Sequence, residues 1–304
     1  MAVLDKASVA QLVDGYRGPG LDIDVAALFG AGDREVLLLG CAICTLKWYA
    51  PGRAGDAAFY VALQAHDWYY QPDKAEYGYA RSHLPDKGAL LEVGCGSGAF
   101  ALRLPTGLRY RGLEFNARAV EKARAAGLDV EIRALADECR SHPRAYDVVC
   151  HFQVLEHVPD PAAFMADCAA LLRPGGSLIV AVPAEDSFVG LAESNWLNMP
   201  PHHLSRWTDG ALRSAFERID VEPRAWWHEP VAVQHRAWQR ATAISSGWLG
   251  LRGKLPRLVA RRTGAPLRVA RRLPIVADWL AARGLQRNPQ LARGHSVCVV
   301  GRKR

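Results

Sequence analysis

Acidic side chains are almost missing from one end of this 304-residue chain: from Leu249 to Arg304 there are 14 Lys plus Arg and a single acid, Asp278. The net charge is +7 overall and +13 in that stretch, which leaves −6 for the rest. Such asymmetry points to an anionic partner. Long hydrophobic runs are missing too. The longest, around "EVLLLGCAICTL", is too short to span a bilayer and is broken by Lys47. The opening "MAVLDKASVAQLVDG" has no basic flank followed by an apolar stretch, so no secretory signal is expected. The expectation is a cytoplasmic protein, with peripheral contact at the inner face of the membrane as an option. The cysteines number seven, an odd count in mostly apolar surroundings, which disfavours a disulfide framework. "GCAIC" has no second C-x-x-C to complete a zinc site of about four ligands. Cys41 and Cys44 therefore read as two buried thiols, and no metal is expected. Internal repeats and low-complexity linkers are also lacking. What remains is an ordinary globular composition, half apolar and 23% charged, with enough chain for a sizeable core.

From about Ala89 the chain alternates strand and helix signals. "ALLEVG", "YRGLEF", "DVEIR", "YDVVCHFQV", "SLIVAVP" and the C-terminal "HSVCVVGRK" read as strands. A short helix is expected after the glycines that follow the first strand. "AVEKARAAG" predicts a helix closed by Gly127. "DPAAFMADCAALLRPGG" predicts one capped by Asp160 with Pro161 at its first position. "TDGALRSAFERI" predicts one capped by Thr208. The repeat implies an α/β fold, a doubly wound, Rossmann-like sheet of seven strands. Residues 1–88 read as a helical N-terminal cap region, 89–229 with 295–304 as the sheet domain, and 230–294 as a basic helical insertion. In the insertion Leu255, Leu258, Val259, Val269, Leu273, Val276 and Leu280 fall at helical spacing, with Gly264 and Pro266 breaking the run.

Ligands of open α/β sheets bind beyond the carboxyl ends of the strands. That edge gathers "LLEVGCGSGAF", Glu114 and the segment after "YDVVCHFQV". Gly94, Gly96 and Ala99 fit the nicotinamide fingerprint G-x-G-x-x-G/A. Glu92, Gly94, Gly96 and Gly98 equally fit a loop for S-adenosylmethionine. Glu114 lies 18 residues beyond Gly96, near the ~20-residue spacing of an acid that meets a ribose. Both cofactors carry that ribose. Glu92 separates them: an acid two residues before the first glycine repels a diphosphate at the helix N-terminus, whereas it suits a cationic sulfonium and ammonium.

"LLEVGCGSGAF", "YRGLEF", "YDVVCHFQVLEHVPDP" and "LLRPGGSLIVAVP" resemble, in order and spacing, the motifs of class I S-adenosylmethionine-dependent methyltransferases over residues ~85–220. The likeness is strongest to the small-molecule group of ubiquinone-biosynthesis O-methyltransferases and sugar- and polysaccharide-pathway methyltransferases. "NMPPHHLSRWT" and the upstream "GDAAFYVALQAHDWYYQPDKAEYGYA" resemble segments of the polysaccharide members, which usually carry tryptophan where Ala75 stands. The resemblance implies that Glu92, Gly94, Cys95, Gly96 and Gly98 line the methionine moiety. It implies that Glu114 takes the ribose, Phe115 the adenine face, and Ala136 and Asp137 the adenine edge. Phe152 and Gln153 would close over the methyl donor. Tyr70 and Tyr77 either cover the cofactor or pack an N-terminal helix on the sheet.

Methyl transfer to a hydroxyl or amine needs a base, and His157, His202 and His203 are the candidates, His titrating near working pH. Each also reads as a loop-fixing residue. By the ubiquinone-branch resemblance Glu156 with His157 is an alternative pair for a divalent cation. The basic insertion reads as a substrate lid facing an anionic acceptor, as a surface for anionic membrane, or as a solvated cap. Nucleic acid is not expected, because aromatic and basic residues do not interleave there. The expected activity is methylation of a hydroxyl of a sugar, polysaccharide intermediate or secondary metabolite. N- or C-methylation, a nicotinamide-dependent oxidoreductase and an idle carrier- or membrane-binding protein remain the alternatives.

Overall fold

The computed structural model describes residues 1–18, 21–66, 69, 72–260 and 273–304. Its strands, in chain order, are β1 (Ala2–Ser8), β2 (Glu35–Gly40), β3 (Lys47–Ala50), β4 (Gly88–Val93), β5 (Leu108–Leu113), β6 (Val130–Glu131), β7 (Tyr146–Phe152), β8 (Leu172–Pro183), β9 (Ser205–Arg206), β10 (Val221–Pro230) and β11 (Arg293–Lys303). They form two sheets, and the chain divides into two compact units that do not follow sequence order.

One unit comprises Gln64–Val182, Gly210–Trp227 and Ser296–Arg304. Its framework is the seven-stranded sheet of order β10-β11-β8-β7-β4-β5-β6. The β4–β5, β4–β7, β5–β6 and β7–β8 pairs are parallel, with Leu90 opposite both Tyr110 and Val148. The central strands are almost continuously apolar because both faces are covered. Leu90, Val148, Cys150 and Ile179 are fully buried, in one cluster with Phe100, Phe152 and Tyr77. The parallel order places the carboxyl ends of β4, β5 and β7 on one edge. Asp160 caps the helix Pro161–Leu171 by accepting from the Ala163 amide at 3.0 Å, as its sequence predicts. Gly127, at φ 81°, follows the end of the helix Ala117–Ala125. The helix expected directly after the glycine loop is a single 3-10 turn, Ala101–Arg103. β10, "VEPRAWWHEP", gave no strand signal because its two prolines and mixed polarity hide an edge strand.

The other unit comprises Met1–Leu63, Pro183–Asp209 and His228–His295. Its beginning corrects the expectation of a helical cap. The chain forms an antiparallel sheet β1-β2-β3-β9, with Leu39 opposite Val3 and Trp48. The only α-helices of the described N-terminal 63 residues are Val9–Tyr16 and the helix that starts at Ala57. "EVLLLG" is a short apolar run ended by Gly40, and "KWYA" carries two aromatics, which suits strand pairing. Ser8 and Gln11 close a capping box at the start of the first helix.

Two insertion helices, Arg236–Leu251 and Pro274–Arg287, pack backbone to backbone. A Cβ on Gly247 would stand 2.1 Å from the Leu280 carbonyl, and one on Gly284 2.1 Å from that of Ala243. Arg240 contacts Asp278, Ser246 contacts Asn288 and Gly250 contacts Arg287, so the two helices run in the same direction. Leu255, Leu258 and Val259 lie beyond the first helix in irregular chain, not in a helix as their spacing suggests. Leu258 is buried there because the Leu258 and Arg257 main chain is tied to Asp5 and Glu193. Val269, Gly264 and Pro266 lie outside the described residues. No helix of the described residues is long and apolar enough to cross a membrane.

Candidate cofactor site

The site forms at the carboxyl edge of β4 and β5. Gly94, Gly96 and Gly98 all adopt left-handed backbone, φ 70°, 54° and 82°. That alternation turns the chain sharply away from the sheet, a conformation L-residues adopt only with strain. The Gly94 and Cys95 amides both donate to the Leu113 carbonyl, at 2.8 and 3.2 Å, which locks the loop to the end of β5.

Glu114 is the next residue after β5. Its Oε2 accepts from the Gly96 amide at 2.9 Å and its Oε1 from the Asn116 amide at 2.8 Å. Asn116 in turn caps the helix Ala117–Ala125, accepting from Arg118 at 2.9 Å. The acid is thus aimed back over the glycine loop by two backbone donors. Phe115 beside it is 73% exposed.

Glu92 is more deeply set than its sequence role implies. It is buried within β4, and the Tyr110 hydroxyl donates to its Oε2 at 2.8 Å. Burial pushes its pKa up to about 8, against the Tyr110 hydrogen bond and the Lys74 charge. Without a cationic ligand the carboxyl is mostly neutral at pH 7. A cation placed beside it would favour its ionised form.

Phe152 does not face outward. It is buried between Tyr77 and Phe100, ring centroids 5.0 and 4.7 Å away. Tyr77 therefore packs the preceding helix on the sheet. Tyr70 lies outside the described residues. Gln153, at φ 59°, turns its side chain to donate to Glu76 Oε1 at 3.1 Å and to Ser296 at 3.2 Å. Asp137 lies in the helix Leu135–Ser141 and its carboxylate pairs with Arg140, while Ala136 is exposed.

Glu156 follows β7 and is buried with neither carboxylate oxygen hydrogen-bonded. Its pKa is raised to about 8 by burial. His157 Nε2 stands 3.8 Å from Glu156 Oε1. Sequence reasoning missed Lys74, Glu76 and Tyr110. Lys74 acts electrostatically on both Glu92 and Glu156, and Glu76 is buried at the start of its helix. A charged pair flanking Ala75 in an otherwise aromatic stretch was the available signal.

His202 and His203 belong to the other unit, where the chain turns after Pro200 and Pro201. Both are buried, and their rings stack with centroids 4.5 Å apart. His202 Nδ1 donates to the Leu197 carbonyl at 2.8 Å, and His203 Nδ1 contacts Asn198 Oδ1 at 3.0 Å. A ring that donates through Nδ1 carries its lone pair on Nε2. The segment is anchored by Tyr49, which donates to the Asn198 carbonyl at 2.7 Å, and by Arg206, whose Nε lies 2.8 Å from Glu185. Lys47 completes that cluster 2.6 Å from Glu185 Oε1.

A seven-stranded, largely parallel sheet, a glycine loop after β4 and an acid at the end of β5 define a class I S-adenosylmethionine-dependent methyltransferase fold. Residues 68–225, more than half of the chain, match the methyltransferase domain family, and the chain belongs to it. The residues present fit that family's donor, because two carboxyls, Glu92 and Glu114, flank the glycine loop where a cationic donor would lie. Among curated proteins it is similar to the ubiquinone biosynthesis O-methyltransferases of Thiobacillus denitrificans, 37% identical over 94 residues, and Xylella fastidiosa, 36% over 110. That of Burkholderia thailandensis is 34% identical over 137 residues, 43% of this chain. The matches span 29% and 34% of this chain for the first two, and 40 to 55% of the length of the three relatives. A solved S-adenosylmethionine-dependent methyltransferase from Archaeoglobus fulgidus shares the fold, with TM-score 0.52 and 14% identity over 82% of this chain and 100% of that one.

Proposed function

We propose that this protein transfers the methyl group of S-adenosylmethionine to a hydroxyl of an anionic small molecule or saccharide intermediate. The observation that carries the reading is the Glu114 carboxylate held over the Gly96 amide at 2.9 Å, next to a glycine loop backed by buried Glu92. The donor, when bound, supplies an already activated methyl, so the chain's tasks are positioning, water exclusion and one proton. Glu114 orients the ribose through hydroxyl donors to its carboxylate. Glu92, losing its proton, balances the donor's positive charge. His157, His202 or His203 accepts the proton of the acceptor hydroxyl; the Nδ1 contact of His202 leaves Nε2 the basic atom for that work.

The relatives are ubiquinone biosynthesis O-methyltransferases by their names, but the matches span less than half of this chain and of those two relatives, so the acceptor is read from this chain's own charge. The 14 basic residues against one acid in 249–304 favour an acceptor with phosphate or carboxylate groups, or one presented at an anionic membrane. The test is transfer of labelled methyl from S-adenosylmethionine to phosphorylated sugars, lipid-linked saccharides and polyprenylated phenols. Labelled product from an anionic saccharide supports the reading. Labelling of the phenol alone places the chain with the ubiquinone enzymes instead, and product with none of them in the presence of tight donor binding removes the proposed acceptor class. Replacing His157, His202 and His203 singly by Ala, with donor binding retained, should abolish turnover in at least one variant.

A further inference from the structure

The turn that joins β2 to β3 holds the C-x-x-C pair. The Cys41 amide donates to the Leu46 carbonyl at 2.9 Å and the Thr45 amide to the Cys41 carbonyl at 3.0 Å, so the turn is closed across its base. Thr45 takes the left-handed φ of 61° that this tight closure needs. The Cys44 amide donates to Cys41 Sγ at 3.5 Å, and both cysteines are free thiols in the same turn. Neither cysteine is in the core: both are part-exposed, and Ile43 at the tip of the turn is 91% exposed. The reading of two buried thiols is thereby corrected, since a hairpin turn lifts them out of the sheet they flank.

We propose that Cys41 and Cys44 are a reversible dithiol–disulfide site that exchanges with low-molecular-weight disulfides. In the first step the Cys41 thiolate attacks one sulfur of the small disulfide, forms a mixed disulfide and expels one small thiolate. In the second, Cys44 gives up its thiol proton to solvent and attacks the Cys41 sulfur. The Cys41–Cys44 bond forms, and the second small thiolate leaves. Two thiols of the protein are oxidised and one small disulfide is reduced to two thiols. The adjacency of the sulfurs makes the second step intramolecular.

The turn also selects which cysteine attacks. Amide donors from Cys44 and Ile43 and the Cys44 thiol favour the Cys41 thiolate and bring its pKa from 9.0 down to about 7. Cys95, Cys150, Cys168 and Cys298 are buried, and burial pushes each thiol up. Cys139 is part-exposed, and burial raises it as well. A bond between residues three apart closes a very short loop, so its effect falls on the turn more than on global stability. The turn leads directly into Thr45, whose Oγ1 is 2.5 Å from that of Thr208, and into Lys47 with its bond to Glu185.

The full chain, freshly reduced and freed of reductant, is incubated across a series of reduced-to-oxidised glutathione ratios. It is then trapped with iodoacetamide and digested for mass spectrometry. The expected result is loss of two titratable thiols together, one Cys41–Cys44 linked peptide, and full recovery with dithiothreitol. Cys44→Ser should stop at glutathione on Cys41, and Cys41→Ser should react with oxidised glutathione at least tenfold more slowly at pH 7. A chain that stays reduced at every ratio overturns the proposal. So does linkage of another pair, or one zinc ion per chain held by the two thiols against exchange.

Discussion

Glu114 Oε2 accepts the Gly96 amide hydrogen at 2.9 Å, across 18 residues of sequence. The bond fixes the acid at the end of β5 over the turn at the end of β4, and both elements are adjacent in the sheet. A charge-assisted hydrogen bond contributes about 1.5–3 kcal/mol. Glu114→Ala should therefore weaken S-adenosylmethionine binding roughly 10- to 100-fold, since about 1.4 kcal/mol is tenfold, read by titration calorimetry. Glu114→Gln, which keeps one acceptor, should lose less. Unchanged affinity in Glu114→Ala removes the ribose role.

Proton linkage gives a second expectation. Glu92 and Glu156 both have pKa values raised by burial to about 8. Their protonated forms are the ones the fold accommodates. That contribution to stability is fully present below the ordinary carboxyl pKa, and it is lost as pH rises through about 8. The unfolding midpoint of the ligand-free protein should fall between pH 6 and 9, and the fall should flatten in the Glu92→Gln, Glu156→Gln double variant. S-adenosylmethionine affinity should run the other way, rising with pH as Glu92 ionises. A midpoint that rises over this range contradicts the burial of these two acids.

Arg206 and Glu185 form an ion pair at 2.8 Å with both side chains under a tenth exposed. Removing one partner of such a pair strands a buried charge, typically costing 3–5 kcal/mol. Arg206→Ala should show that loss in urea unfolding. Arg206→Met with Glu185→Gln should recover part of it, because Glu185 is then neutral and only Lys47, with its side chain 30% exposed, loses its partner. A loss below about 1 kcal/mol would assign the pair to the class of weak surface bridges.

The insertion helices depend on glycine at their crossing. Gly247→Val and Gly284→Val should each lower the thermal midpoint sharply, because the nearest carbonyl is 2.1 Å from the added Cβ and backbone cannot swing aside. Gly78→Ala is the control: that position is helical with no atom within 4 Å of the added carbon, so it should be neutral or mildly stabilising. Equal effects at all three positions would refute the close packing.

Much of the sheet was legible because its information is local. "LLEVGCGSG" and "YDVVCHF" are continuous apolar strands, and Asp160-Pro161 announces a helix start. Glu114 was legible through spacing alone. β1 to β3 were not: they are short, and β3 pairs onward with β9, more than 150 residues away, which no periodicity records. The burial of Phe152 and the protonation of Glu92 depend on what surrounds them. Phe152 looks like a lid in the sequence, yet Tyr77 and Phe100 claim its ring. Leu255 to Val259 carried a helical spacing but lie in irregular chain, where Asp5 and Glu193 take the main-chain donors.

Calorimetric titration of the full chain at pH 8 with S-adenosylmethionine and, separately, with a nicotinamide dinucleotide tests which cofactor the glycine loop holds. The predicted result is one S-adenosylmethionine bound per chain, weakened by Glu114→Ala, and no heat from the dinucleotide. Saturable dinucleotide binding with none of S-adenosylmethionine would contradict it.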